Sequence, residues 1–134
     1  MTKEYSVMLK SIHHTAIICS NYKNSKNFYV EKLGFKVIAE NYRAERYSYK
    51  LDLMVGDKYQ IELFSFPNPP SRVSKPEACG LRHLAFEVDN IEAAVLDLTS
   101  KGIPCEPIRT DEYTGKKFTF FQDPDGLPLE LYEN

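Results

Sequence analysis

The sequence points to an α+β architecture made of two copies of one βαβββ module, and three observations carry that expectation. A succession of strand, cap and helix occurs twice. Each half then closes on an acidic strand, Ile61-Glu62-Leu63 in the first and Leu129-Glu130-Leu131 in the second. A stretch rich in proline separates the halves. The 134 residues suffice for one domain, which at this size buries roughly two thirds of the surface its unfolded chain exposes.

Taken in order, Ile12 to Cys19 is β-branched and apolar and reads as a strand. Ser20-Asn21 supplies a cap, and a helix-like stretch follows that closes at Leu33-Gly34. Lys36 to Arg43 and Ser48 to Val55 are the next strands, and Tyr59 to Ser65 is the acidic one. Phe66 to Gly80 carries Pro67, Pro69, Pro70 and Pro76 and cannot continue a sheet. The second half begins with a strand from Leu81 to Val88 and a cap at Asp89-Asn90. Ile91, Val95 and Leu98 then fall at helical spacing before Lys101-Gly102. Pro104 to Thr110 and Lys116 to Gln122 take the places of the middle strands, and Asp123-Pro124-Asp125-Gly126 has the chemistry of a tight turn into the last strand. His14 precedes His83 by 69 residues, as Ala16 does Ala85 and Asn21 does Asn90; Glu62 precedes Glu130 by 68. The expected organisation is a single domain, 1–134, with modules over about 11–66 and 81–133 and a linker over 67–80.

Composition narrows the partners. With 43% hydrophobic and 27% charged residues and a net charge of -2, the chain resembles neither a nucleic-acid binder nor a disordered tail. No apolar run approaches the ~20 residues of a membrane span, and residues 1–11 hold no signal-peptide core. Cys19, Cys79 and Cys105 are odd in number and form no C-x-x-C pair, which implies free thiols in the reducing cytoplasm. Cys79, four residues before His83, is assigned a structural role near the mouth of a cavity. The expected partners are a small-molecule substrate and a second copy of the chain in a symmetric homodimer, with no nucleic acid and no membrane.

Strand alternation singles out four residues. In the first acidic strand Ile61 and Leu63 share one face while Gln60, Glu62 and Phe64 share the other; in the last strand the leucines oppose Glu130 and Tyr132. Leu84, Phe86 and Val88 likewise oppose His83, Ala85 and Glu87, and His13 falls on the face opposite His14. Each module thus turns one His and one Glu to the face away from its helix. Any one of them alone would pass as an ordinary strand residue. Buried carboxylates are costly unless paired or metal-bound, so repetition of the set at equivalent places calls for a shared cause. A divalent cation held by His14, Glu62, His83 and Glu130 supplies it. Two imidazoles and two carboxylates suit Zn, Ni, Mn, Co or Fe(II), with coordination positions left for substrate oxygens.

The segments H-H-T-A-I, N-F-Y, L-G-F, I-E-L, G-L-R-H-L-A-F and D-P-D-G-L-P-L-E-L resemble the glyoxalase I/bleomycin resistance/dioxygenase branch of the vicinal oxygen chelate superfamily over nearly the whole chain. The segment from Phe64 to Phe86 further resembles its small YaeR-like subgroup. The resemblance implies paired βαβββ modules forming a cupped, open barrel, with metal ligands at His14, Glu62, His83 and Glu130. It also implies a lactoylglutathione lyase-like metalloenzyme, in which a chelated hemithioacetal passes through a metal-stabilised enediolate to a thioester. Glu130 is then the better base and Glu62 the second. Other family chemistries are an epimerase, a thiol transferase, a ring-cleaving dioxygenase or a drug-sequestering binding protein; the last generally lacks the full ligand set. Bacterial enzymes that use glutathione carry an arginine and an asparagine where this chain has Ile18 and Phe66, which argues against glutathione recognition. Arg43, Arg46, Lys50, Arg72 and Lys117 are the candidates for meeting a smaller anion.

Overall fold

A computed structural model describes residues 8–134. The first module runs β1 (Thr15–Cys19), α1 (Tyr22–Lys26) continued by a π-helical turn (Asn27–Lys32), β2 (Lys36–Arg43), β3 (Ser48–Val55) and β4 (Lys58–Ser65). The second runs β5 (Leu84–Val88), α2 (Ile91–Ser100), β6 (Arg109–Thr110), β7 (Lys117–Gln122) and β8 (Pro128–Glu133). Each forms its own four-stranded sheet, in the orders β1-β4-β3-β2 and β5-β8-β7-β6. The first strand of each module pairs parallel with the last, and the others pair antiparallel. Neither sheet closes on itself, so the architecture is the expected cupped, open α+β arrangement of two βαβββ modules. The helices start alike: the Asn21 and Asn90 side chains each accept a hydrogen bond at 3.0 Å from the backbone N–H three residues on.

Three strands differ from expectation. Both histidine-bearing strands begin later, at Thr15 and Leu84, so His14 and His83 stand just ahead of the first ladder pairs. The segment from Pro104 shrinks to the two residues of β6, because Pro104 and Pro107 lack the N–H groups a ladder requires. Glu106 still docks there, its N–H donating to the Phe120 carbonyl at 2.9 Å and its carbonyl accepting from Thr119 at 2.6 Å.

The helical faces of the two sheets share one core. Leu51, Leu53, Ile61 and Leu63 come from the first sheet and Leu129 and Leu131 from the second, with Phe28, Tyr29, Ile91 and Leu98 from the helical segments. Contacts cross between modules: Phe28 meets Phe121, Phe35 meets Phe86, and the buried Tyr29 hydroxyl donates to Asp123 at 2.7 Å. Asp123 also organises the turn it opens, accepting from the N–H groups of Asp125 and Leu127 at 2.9 Å each, while Gly126 supplies the positive φ of 83°. Because the helices fill the interior, the opposite sheet faces, which carry the polar residues, are left to build a site. Leu129→Ala should lower stability by about 2–5 kcal/mol, whereas Leu96→Ala, on the exposed side of α2, should stay within about 0.5 kcal/mol. Urea midpoints at unchanged slope would measure both, and similar losses would contradict this core.

Candidate functional site

Strand register builds the site. Ala16 pairs with Glu62 across β1 and β4, and Ala85 with Glu130 across β5 and β8, which sets the preceding histidine of each module beside its glutamate. His14 Nε2 lies 3.3 Å from a Glu62 oxygen, and His83 Nε2 lies 3.3 Å from a Glu130 oxygen. The glutamates are largely sequestered, their side chains 10% and 13% exposed. Two donors each about 2.1 Å from one ion, at a near-tetrahedral angle, sit about 3.4 Å apart, so each pair has the spacing of two ligands on a common metal. The pairs themselves belong to separate sheets. Among the described residues, no group of three or more His, Cys, Asp or Glu side chains comes together in a way that could hold a metal. One chain therefore presents two matched His–Glu pairs, and the sequence leaves open whether such pairs meet within one chain or across two.

The half-sites differ in their surroundings. The Glu62 oxygen nearest His14 also accepts from the Tyr59 hydroxyl and lies 3.7 Å from Lys50 Nζ, which is 2.7 Å from Asp52. Burial, and next the hydrogen bond to Glu62, push the Tyr59 hydroxyl well above the usual phenol range. His14 is braced through its other nitrogen, 2.9 Å from His13 Nδ1, an outer contact that can leave Nε2 free to bind. Around Glu130 the repeat-equivalent places of Lys50, Asp52 and Tyr59 hold Phe118, Phe120 and Leu127. His83 stands edge-on to Phe120 at 5.1 Å, and the Arg109 guanidinium lies over Phe118 and Phe120 at 5.0 and 5.9 Å. Arg82 Nη1 lies 3.3 Å from His83 Nδ1.

Alternation puts Glu62 on this face, the β3–β4 register adds Lys50 and Asp52, and two further neighbours escape alternation. A bulge in β4, where the register moves from Leu53–Ile61 to Met54–Tyr59, turns Tyr59 toward Glu62. His13, placed by alternation opposite His14, instead lies against Tyr59 with it, the ring centroids 5.5 Å apart, because the unpaired backbone ahead of β1 is not bound to alternate. Of the other cations named from sequence, Lys117 bonds Glu92 on α2 at 2.7 Å. Arg72 is occupied in holding the carbonyls of Leu81 and Arg82 at 2.7 and 2.9 Å. Arg43 caps Phe64 and Phe66 and donates to Ser48 at 2.9 Å, and Arg46 lies in the exposed turn between β2 and β3.

A family model described as the Glyoxalase/Bleomycin resistance protein/Dioxygenase superfamily matches residues 11–131. The chain belongs to that superfamily. It is 67% identical over 127 residues to the protein YwkD of Bacillus subtilis (strain 168), covering 95% of this chain and 99% of YwkD. It is 62% identical over 125 residues to YaeR of Escherichia coli (strain K12), covering 93% and 97% of the two chains, which supports the YaeR-like subgroup. The crystal structure of the glyoxalase family protein from Enterococcus faecalis superposes with a TM-score of 0.88 at 56% identity, over 95% of this chain and all of that one.

The three thiols are unpaired and differ in access. Cys19 is buried, and burial pushes its thiol up to about 11, so only about one part in a thousand is thiolate at pH 8. Burial also raises the Cys105 thiol. Cys79 is exposed and lines a cavity of about 600 Å³ together with Ile18, Ser20 and Asp125. Native protein treated with iodoacetamide at pH 8 should therefore gain its first adduct at Cys79, as read by peptide mass; first modification at Cys19 would contradict the packing of β1.

Proposed function

We propose that the protein is a divalent-metal-dependent enzyme of the glyoxalase I kind, an isomerase or lyase acting on a small substrate with neighbouring oxygens such as a hemithioacetal. The repetition carries this reading: one His and one sequestered Glu at the same 3.3 Å spacing in the same register of each module. The donor set suits Zn, Ni, Mn, Co or Fe(II). When bound, such an ion would polarise two adjacent substrate oxygens and acidify the C–H bond on a carbon that bears one of them. The protein's residues divide the rest of the work. Glu62, fixed by Tyr59 and Lys50, is suited to remain a ligand. Glu130 has only His83 as an ion-pair partner among the described residues and is the group free to take and return a carbon-bound proton.

Since one chain presents two half-sites, the proposed assembly is a symmetric homodimer in which His14 and Glu62 meet His83 and Glu130 of the partner subunit. Free thiols suit a reducing cytoplasm, and no helix among the described residues is long and apolar enough to cross a membrane. Elemental analysis is expected to give about one divalent ion per chain, and sedimentation at micromolar concentration a dimer. A metal-free protein after reconstitution would end the metal reading. A monomer that still binds metal would end only the shared site.

A further inference from the structure

Beside the His83–Glu130 half-site lies a second cavity of about 520 Å³ whose chemistry is not that of a metal site. Its floor is Phe118 and Phe120 on β7, and Phe120 is the cross-strand neighbour of Glu130 and the edge-on neighbour of His83. Arg109, Arg82 and Lys75 rim it, and among the described residues Glu77 and Glu106 are the only carboxylates in its lining. Each arginine spends one contact on an exposed glutamate: Arg82 Nε on Glu77 at 2.6 Å, and Arg109 Nη2 on Glu106 at 3.0 Å. Such surface pairs contribute little and yield readily to a better-placed anion. The Arg109 guanidinium spreads over both phenyl rings, leaving its edge of N–H donors for a planar bidentate partner.

The comparison between modules adds weight. At the equivalent places of the first module stand Lys50 and Asp52, already joined to each other at 2.7 Å. The second module replaces that self-neutralised pair with two aromatic faces and a cationic rim. Those are the parts that recognise a flat apolar body ending in an anion.

We infer that this cavity is the recognition subsite of the proposed enzyme and takes a small aryl-bearing carboxylate, with Arg109 and Arg82 on the carboxylate and Phe118 and Phe120 against the ring. The inference rests on the metal-enzyme reading only for what happens next to the subsite; the binding itself belongs to residues already in place. It also assigns Arg109 and Arg82 as specificity residues, roles that strand alternation gives no reason to expect.

The test measures binding by calorimetry to the intact protein, first stripped of metal with a chelator and then reconstituted. The probes are phenylglyoxylate, benzoate, glyoxylate and methyl phenylglyoxylate. Phenylglyoxylate and benzoate should bind the metal-free protein, and both the ringless glyoxylate and the uncharged ester should bind at least about tenfold more weakly. Arg109→Gln and Arg82→Gln should each weaken the aryl carboxylates by about tenfold, with partial rescue in Arg109→Lys. Phe120→Leu should weaken benzoate but leave glyoxylate unchanged. Circular dichroism checks that each variant folds, and Arg82, 66% exposed, is the variant least able to disturb the fold. Equal affinity for acid and ester, equal affinity for benzoate in wild type and both arginine variants, or no binding of any probe would overturn the subsite. Binding of phenylglyoxylate only after metal is restored would also overturn it while leaving the metal reading standing, and aryl binding in a protein that takes up no metal on reconstitution would do the reverse.

Discussion

Chains carrying His14→Ala with Glu62→Ala, and chains carrying His83→Ala with Glu130→Ala, are each expected to lose the metal when pure and to regain about one ion per dimer when co-assembled. One His–Glu pair stands on each of two separate sheets, and no group of three or more potential ligands forms among the described residues of one chain. In a mixed dimer built on shared sites, one site inherits both damaged halves and the other inherits both intact ones. A site closed within a single chain could never be rescued this way, since every chain in the mixture carries a damaged half. Differently tagged chains allow the mixed dimer to be purified, and the visible spectrum of bound Co(II) reports ligand geometry independently of turnover. Absence of rescue in a mixed dimer that forms stably would refute sharing. Metal retained by either pure variant would refute the ligand assignment itself.

Much of this was written in the chain. The two offsets of 69 and 68 give the duplicated module, and alternation puts Glu62 and Glu130 on the face away from the helices, where the structure has them. The missing parts have physical causes. Alternation holds only while a strand is paired, so it fails at His13, ahead of β1, and at Tyr59, beyond a bulge that appears only once β3 and β4 are in register. The recognition surface around Phe118 and Phe120 involves Arg82 and Lys75 from the segment before β5, and no periodicity relates that segment to β7. Nor does a sequence reveal whether two equivalent pairs meet within a chain or across an interface, because that depends on which sheet faces pack. Here the helical faces pack together, through Phe28 on Phe121 and Phe35 on Phe86, and the faces that carry Glu62 and Glu130 point away from that core.

Metal-reconstituted protein is expected to turn over hemithioacetals of small thiols or other compact vicinal-oxygen compounds, and to act poorly on the glutathione adduct of methylglyoxal. Ile18, 56% exposed beside the 600 Å³ cavity, and Phe66, stacked on Phe64, offer a tripeptide neither charge nor amide where glutathione-using relatives carry both. Losing two such contacts costs about ten- to a hundredfold each in kcat/KM. The chemistry should survive that loss, since Glu130, the proposed base, lies on β8, away from both positions. Glu130→Gln keeps the shape of the side chain and removes the proposed base, so kcat should fall about a hundredfold to ten-thousandfold on every active substrate. Tyr59→Phe leaves Glu62 its charge but takes away the hydroxyl that holds it, and should weaken metal retention while changing kcat at saturating metal far less. Assays with matched metal loading separate the two effects. Efficient turnover of the glutathione adduct would show that residues other than those at positions 18 and 66 hold the peptide. Undiminished kcat in Glu130→Gln would move the proton transfer to Glu62, and a broad panel of vicinal-oxygen compounds that neither react nor bind would remove the enzyme reading in favour of a sequestering protein.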